Sequence, residues 1–290
     1  MNYGVVILNT IERYISKTEK NKSSYWRKQL HNKDYKNIYA ELGFGSYSQI
    51  KPFNSILHYI LSRIVYKNYI FKTEVFHKIN KLFLKINKQI DNDSLRHIFT
   101  FDLLKNLKFN SACVIGDGKA NFLIQYLALY SKKIYVINLA ETLYNDYKII
   151  KKIKIVSDKS IKVVEKEKDL ESNCQIFLVP SINKHFLLSK KIDLFVNIDS
   201  FQEMNKEEIR KYFKIIKSNK STLYCCNREY KELPSGEKIL FNNYPWGFKY
   251  KFKECPWEKK YYSLSFPFIN KYEGNHLHCL IDFKKNKQLL

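Results

Sequence analysis

Arginine is scarce in this chain. Six arginines stand among 51 Lys and Arg residues, against 28 Asp and Glu, so the formal net charge of +23 rests on lysines spread almost evenly along the sequence. Readers of bases and phosphates lean on the bidentate arginine fork, and no RNP-like signature accompanies the charge. A solvated lysine coat is the plain reading; an anionic membrane surface or an anionic substrate follows it, and nucleic acid is disfavoured. Paired cysteine motifs are also missing. Cys113, Cys174, Cys225, Cys226, Cys255 and Cys279 form no CxxC, and several sit in apolar runs such as LYCCN and HCLI. Buried reduced thiols and a cytoplasmic compartment are therefore expected. MNYGVVILNT has four consecutive aliphatics and no basic n-region, which argues against a signal peptide. No stretch approaches the ~18 uncharged apolar residues of a transmembrane helix. No internal repeat is visible.

What is present begins with size. A chain of 290 residues with 45% hydrophobic content can bury a substantial core. Its organising stretch is Ser111 to Glu141: an apolar run (Ala112 to Ile115), the turn Gly116-Asp117-Gly118, a helical stripe (Phe122, Leu123, Tyr126, Leu127, Tyr130) and a second β-rich run (Ile134 to Ile137). Alternation continues with a helix over 142–151, strands over 175–179 and 192–198, a helix over 205–218 and a strand over 222–226. Residues 159–172 read as loop and short helix. Five strands alternating with helices predict an α/β, mostly parallel, doubly wound sheet. The runs 261–266 and 278–283 predict an antiparallel pair at its edge.

The first hundred residues are organised differently. Stripes at Ile56, Leu57, Ile60, Leu61, Ile64 and at Val75, Ile79, Leu82, Phe83, Ile86, Ile90 predict amphipathic helices, packed on a neighbour or lying on an anionic membrane. Asp91 to Ser94 predicts a break and cap before a helix over 95–107. ELGFGSYS (Glu41 to Ser48) reads as an ordered loop. The division expected is a mainly helical region, 1–105, as substrate-side cap or packing appendage, and a Rossmann-like domain, 106–290.

Ligands of open α/β sheets gather at the carboxyl ends of the strands. Gly116, Asp117 and Gly118 make a glycine turn where positive φ and close ligand approach are permitted beside a helix N-terminus with unsatisfied N–H groups. A tight turn without a ligand gives the same pattern. Asn138 ends strand two, where a hydrogen-bonding residue takes ribose hydroxyls, and Glu141 follows as a second ligand or a helix cap. Pro180 and Ser181 close strand three, and Asn197 lies in strand four; both positions are candidate cofactor contacts. Asp199, Gln202 and Glu203 follow strand four and place carboxylates at the same rim.

VIGDGKANF, VINLAETL, DLFVNIDSFQEM, CCNRE and YPWG together resemble the bacterial sugar O-methyltransferases, over roughly residues 106–283, with NIDSFQEM the most specific part. The resemblance implies a Rossmann-like class I methyltransferase sheet with an antiparallel C-terminal edge pair. It also implies S-adenosylmethionine as cofactor, its methionine portion at Gly116 to Ala120, and a sugar or carrier-linked glycan precursor of surface polysaccharide as acceptor. The family usually has an acidic ribose ligand where this chain has Asn138. Methyl transfer to a sugar hydroxyl needs proximity, orientation and a proton acceptor, and the candidates are Glu203, then Asp199, then His185. His276 and His278 alternate on one strand near Glu273, a spacing too loose to imply a metal. Trp246 and Trp257 sit in a loop that reads as a substrate lid or a buried anchor. Rival readings are a basic nucleic-acid-binding module, a nucleic-acid methyltransferase (no NPPY-like motif follows strand four) and a nicotinamide oxidoreductase (no Tyr-x-x-x-Lys).

Overall fold

Parallel strands covered on both faces need near-continuous apolar runs, and SACVI, KIYVIN, IFLVP, LFVNI and TLYCCNR provide them. In the computed structural model they form β1 (Ser111–Ile115), β2 (Lys133–Asn138), β4 (Ile176–Pro180), β5 (Leu194–Ile198) and β6 (Thr222–Arg228), with a short β3 (Ile161–Val163) between β2 and β4 in sequence. Described residues are 3–17, 19, 22–37, 52–257, 259–264, 266–271 and 273–290, the side chains of 52–55 excepted. The Glu41 to Ser48 segment lies outside them.

The neighbours in the sheet run β3, β4, β2, β1, β5, β6, all parallel, and β12 (His276–Asp282) then pairs antiparallel with β6 along its full length. Strands β9 (Lys253–Glu254) and β13 (Lys287–Gln288) pair antiparallel with β12. This is the expected Rossmann-like, doubly wound sheet with an antiparallel C-terminal edge. The edge pair differs in its partners. Residues 260–262 (β10) pair with 269–271 (β11) in a separate hairpin, because the intervening turn closes locally and Ser263 N donates to Phe268 O (2.9 Å). Another hairpin joins β7 (Tyr230–Glu232) to β8 (Lys238–Leu240). Residues 161–163 form a strand where a loop is expected from sequence; three residues are too few to establish a period.

Side chains alternate across β1. Ala112 and Val114 join one core; Cys113 and Ile115 join the other. The first core is closed by α6 (Asn121–Leu129), α7 (Ala140–Ile153) and the N-terminal helices α1 (Tyr3–Glu12), α3 (Pro52–Val65), α4 (Glu74–Lys85) and α5 (Asn92–Leu104), so residues before 105 share it with the sheet. A shorter helix, α2 (Ser24–Leu30), precedes α3. The second core is closed by α8 (Lys206–Ser218), whose Ile209, Tyr212, Phe213 and Ile216 are buried at helical spacing. Asn205 caps α8 by accepting from Glu208 N (2.8 Å), and Asp91 caps α5 by accepting from Ser94 N (2.8 Å). The two N-terminal stripes differ. α4 buries Val75, Ile79 and Phe83, whereas α3 buries Leu61 and Val65 but exposes Ile56, Tyr59, Ile60 and Ile64. Among the described residues no helix is long and apolar enough to cross a membrane.

Candidate active site

The carboxyl ends of β1, β2, β4 and β5 stand side by side, with Ile115 in register with Ile137 and Asn197, and Asn138 with Pro180. Above them lies a cavity of about 290 Å³, near the lower end of the ~300–1,000 Å³ range of ligand clefts. Gly116, Gly118, Asn138, Ser181, Asp199 and Glu203 line it.

The glycine turn is built unevenly. Gly116 has φ +77°, and a Cβ there would meet Ser200 Oγ at 2.0 Å and Ser200 Cβ at 2.4 Å; only glycine lets the β1 and β5 loops approach this closely. At Gly118, φ is ordinary and an added Cβ would meet nothing within 4 Å. The left-handed positions are instead Lys119 (φ 62°) and Ala120 (φ 50°), each a strained choice for a residue with a side chain. Two aspartates hold the turn in place. Asp117 is buried and accepts from Phe122 N and Leu123 N (both 2.8 Å), capping α6; burial pushes its carboxyl up to about 6, against the pull of those N–H groups. Asp146 on α7 accepts from Ala120 N (2.8 Å) and from Asn138 Nδ2 (3.3 Å).

Several sequence candidates therefore point inward. Asp117 is engaged by the helix, outside the cavity lining. The Asn138 amide donates to Asp117 O (2.8 Å) and its Oδ1 accepts from Leu139 N (3.0 Å), so its side chain braces the turn from the cavity wall. Asn197 is fully buried, donates to Ile115 O (3.0 Å) and accepts from Phe201 N and Asn227 Nδ2. Glu141 pairs with Lys22 Nζ (2.7 Å), both buried, and lies outside the lining, as does Pro180. Ser181 does line the cavity, and among the described residues its buried Oγ has no hydrogen-bond partner.

Of the three proton-acceptor candidates, Glu203 and Asp199 share the cavity. His185 is exposed on the 181–189 turn, its Nδ1 3.0 Å from Ile182 O, outside the lining. In its place β12 delivers His276, whose Nε2 stands 3.0 Å from Asp199 Oδ1. Arg96 Nη1 holds the other Asp199 oxygen at 2.5 Å. Burial pushes the Asp199 carboxyl up, but Arg96 and His276 outweigh it and bring it down to about 2. Glu203 goes the other way. Burial raises its carboxyl above the usual range although Lys231 Nζ lies 3.2 Å away. The second histidine of the strand, His278, meets Tyr224 OH (3.4 Å) in the core, and burial takes it down to about 4.

Residues 1–105 are expected as a substrate-side cap or packing appendage, but no individual residue of α2 or α5 is a site candidate from sequence. Ser23 and Trp26 line one wall, and the Ser23 hydroxyl donates to the Glu203 carbonyl; Asp93, Arg96 and His97 line another. The signals were Trp26 in an unassigned stretch and one of few arginines, five residues beyond the Asp91 cap. The loop expected as lid or anchor is an anchor at Trp246, which is 3% exposed, donates from Nε1 to Phe241 O (2.9 Å) and packs on Phe213 and Phe252. Trp257 is also buried, under the Arg96 guanidinium.

No family model and no curated protein matches the sequence. Solved structures similar in fold include the methyltransferase domain of bacterial CtHen1, 14% identical over 65% of this chain and 97% of that one (TM-score 0.39). A methyltransferase from Geobacter sulfurreducens is 10% identical over 71% of this chain and 87% of that one (TM-score 0.36). The S-adenosylhomocysteine-bound methyltransferase PaMTH1 of Podospora anserina is 16% identical over 61% of this chain and 72% of that one (TM-score 0.34).

Proposed function

We propose that the chain is an S-adenosylmethionine-dependent O-methyltransferase acting on a sugar or glycan precursor of surface polysaccharide, as the resemblance of residues 106–283 to the bacterial sugar O-methyltransferases implies. The observation that carries the cofactor side is the open Cβ position of Gly118 in a cavity whose other glycine is locked against Ser200. The backbone is spared a side chain where a ligand needs room, and spared one at Gly116 only because the protein itself is there. The buried Ser181 Oγ at the end of β4 fits the same ligand, offering a polar contact that the described residues leave unused.

The residues that would hold the cofactor are the 116–120 backbone, Leu139 and Thr142 at the start of α7, and Ser181. When bound, the cofactor supplies an electrophilic methyl group on a sulfonium. The protein's part is orientation and proton removal. Asp199, held ionised by Arg96, is too weak a base to take a proton near neutral pH; it positions His276. Glu203, raised by burial, is the better matched proton acceptor, since environments that drive two carboxyls apart separate their roles. Trp26, also in the lining, offers an aromatic face for the sugar ring.

Calorimetric titration with S-adenosylmethionine, S-adenosylhomocysteine, NADH and a short RNA duplex tests the reading. Affinities on the order of micromolar are expected for the first two only. Tight NADH or RNA binding with no heat from either sulfur nucleoside would overturn it.

A further inference from the structure

Helix α3 carries apolar side chains on a face that the described residues leave exposed. Ile56, Tyr59, Ile60 and Ile64 are 49–63% exposed, while Leu61 and Val65 on the opposite side anchor the helix in the core. Beside α3 stands the β10–β11 hairpin, joined to it by the His58 Nδ1 to Tyr262 OH contact (3.1 Å). The hairpin exposes three more large apolar groups, Phe266 (87%), Phe268 (44%) and Ile269 (40%). Scattered exposed aliphatics are ordinary on a protein surface; two adjoining elements that both turn theirs outward form a patch.

The two segments that build this patch carry charge of one sign, although Glu254 beside them pairs with Lys259 (2.9 Å). Residues 52–73 contain no Asp or Glu and include Arg63, Lys67 and Lys72, and 259–271 likewise lack acids and include Lys259, Lys260 and Lys271. Elements that carry both cations and exposed apolar and aromatic groups are complementary to a bilayer bearing anionic headgroups, which attracts the lysines and accepts the isoleucines and phenylalanines below the headgroup level. They are poorly matched to a second copy of themselves, since two such faces would repel.

We infer that α3 and the β10–β11 hairpin form a docking face for an anionic lipid bilayer. The face is tied to the cavity through α5. Asn92 Nδ2 at the start of α5 donates to Tyr262 O (2.8 Å), and Asp93 and Arg96 on the same turns line the cavity. The inference stands whether or not the cavity holds a sulfur nucleoside, because it concerns a different surface.

Co-sedimentation of the full chain with phosphatidylcholine vesicles, with and without phosphatidylglycerol, tests it. Binding is expected to the mixed vesicles and not to the neutral ones. Because a strongly basic protein adheres to anionic vesicles by charge alone, the deciding variants keep the charge. Ile60→Gln with Ile64→Gln, and separately Phe266→Gln with Phe268→Gln, should each weaken vesicle binding about tenfold, whereas Val5→Gln with Val6→Gln on α1 should not. All six positions are exposed, and melting curves confirm that the variants fold. Absence of wild-type binding to the mixed vesicles overturns the inference. So does equal binding by wild type and both paired variants. A wild-type dimer that the same variants convert to monomer also overturns it, assigning the face to a second copy.

Discussion

Gly116 and Gly118 stand two residues apart and carry opposite constraints. An added methyl at Gly116 collides with Ser200 and forces a side chain onto φ +77°, so Gly116→Ala is expected to destabilise the fold by about 1–3 kcal/mol, read as a lower midpoint in urea. Glu203→Gln should leave S-adenosylhomocysteine affinity nearly unchanged and slow turnover on the order of a hundredfold; full turnover would clear Glu203 and leave His276 as the proton acceptor. Asp199 has its own pH signature. Its folded carboxyl sits at about 2 against an ordinary 3.8, so its stabilisation is complete above the ordinary value and is lost as pH falls toward 2. The linkage is worth on the order of 2 kcal/mol. Urea unfolding of Asp199→Asn should show that deficit near pH 7 and a narrowing gap below about pH 4; a gap independent of pH would contradict the ion-pair account. At this scale the sequence exposed residue types at the rim but not their directions. Asn138 and Asn197 sit at the right strand ends, yet both amides are turned into neighbouring backbone, at Asp117 and Ile115, which no spacing reveals.

Elements were more legible than side chains, because a period of two or 3.6 repeated over several residues is a redundant signal. β1, β2 and α8 follow directly from it. The hairpin β10–β11 does not, since two three-residue strands carry almost no period and the local turn chose the partner. Aromatic loops are ambiguous for another reason: a tryptophan that stacks on a ligand and one that plugs a core have the same neighbours in sequence. Trp246 is of the second kind. Trp246→Ala is therefore expected to cost about 3–5 kcal/mol of stability while leaving S-adenosylhomocysteine affinity within twofold in the folded fraction, as calorimetry below the melting transition would register. A selective loss of affinity would return the 242–247 loop to the site.

For the whole molecule, the charge of +23 describes a coat, and the cavity's own charges are largely paired inside it: Asp199 with Arg96, Glu203 with Lys231, Glu208 with Lys184. Composition could announce the coat but not the pairing. The N-terminal helices were the least readable part of the chain, and they supply one wall of the cavity through Trp26 and another through Arg96. The proposed function rests on the 116–120 turn seating a sulfur nucleoside. Calorimetric titration of S-adenosylhomocysteine into wild type and Gly118→Asp, with melting curves of both, tests that most directly. An unchanged melting midpoint and an affinity lower by at least about tenfold, 1.4 kcal/mol, is the predicted result. Equal affinity in the two proteins would contradict it.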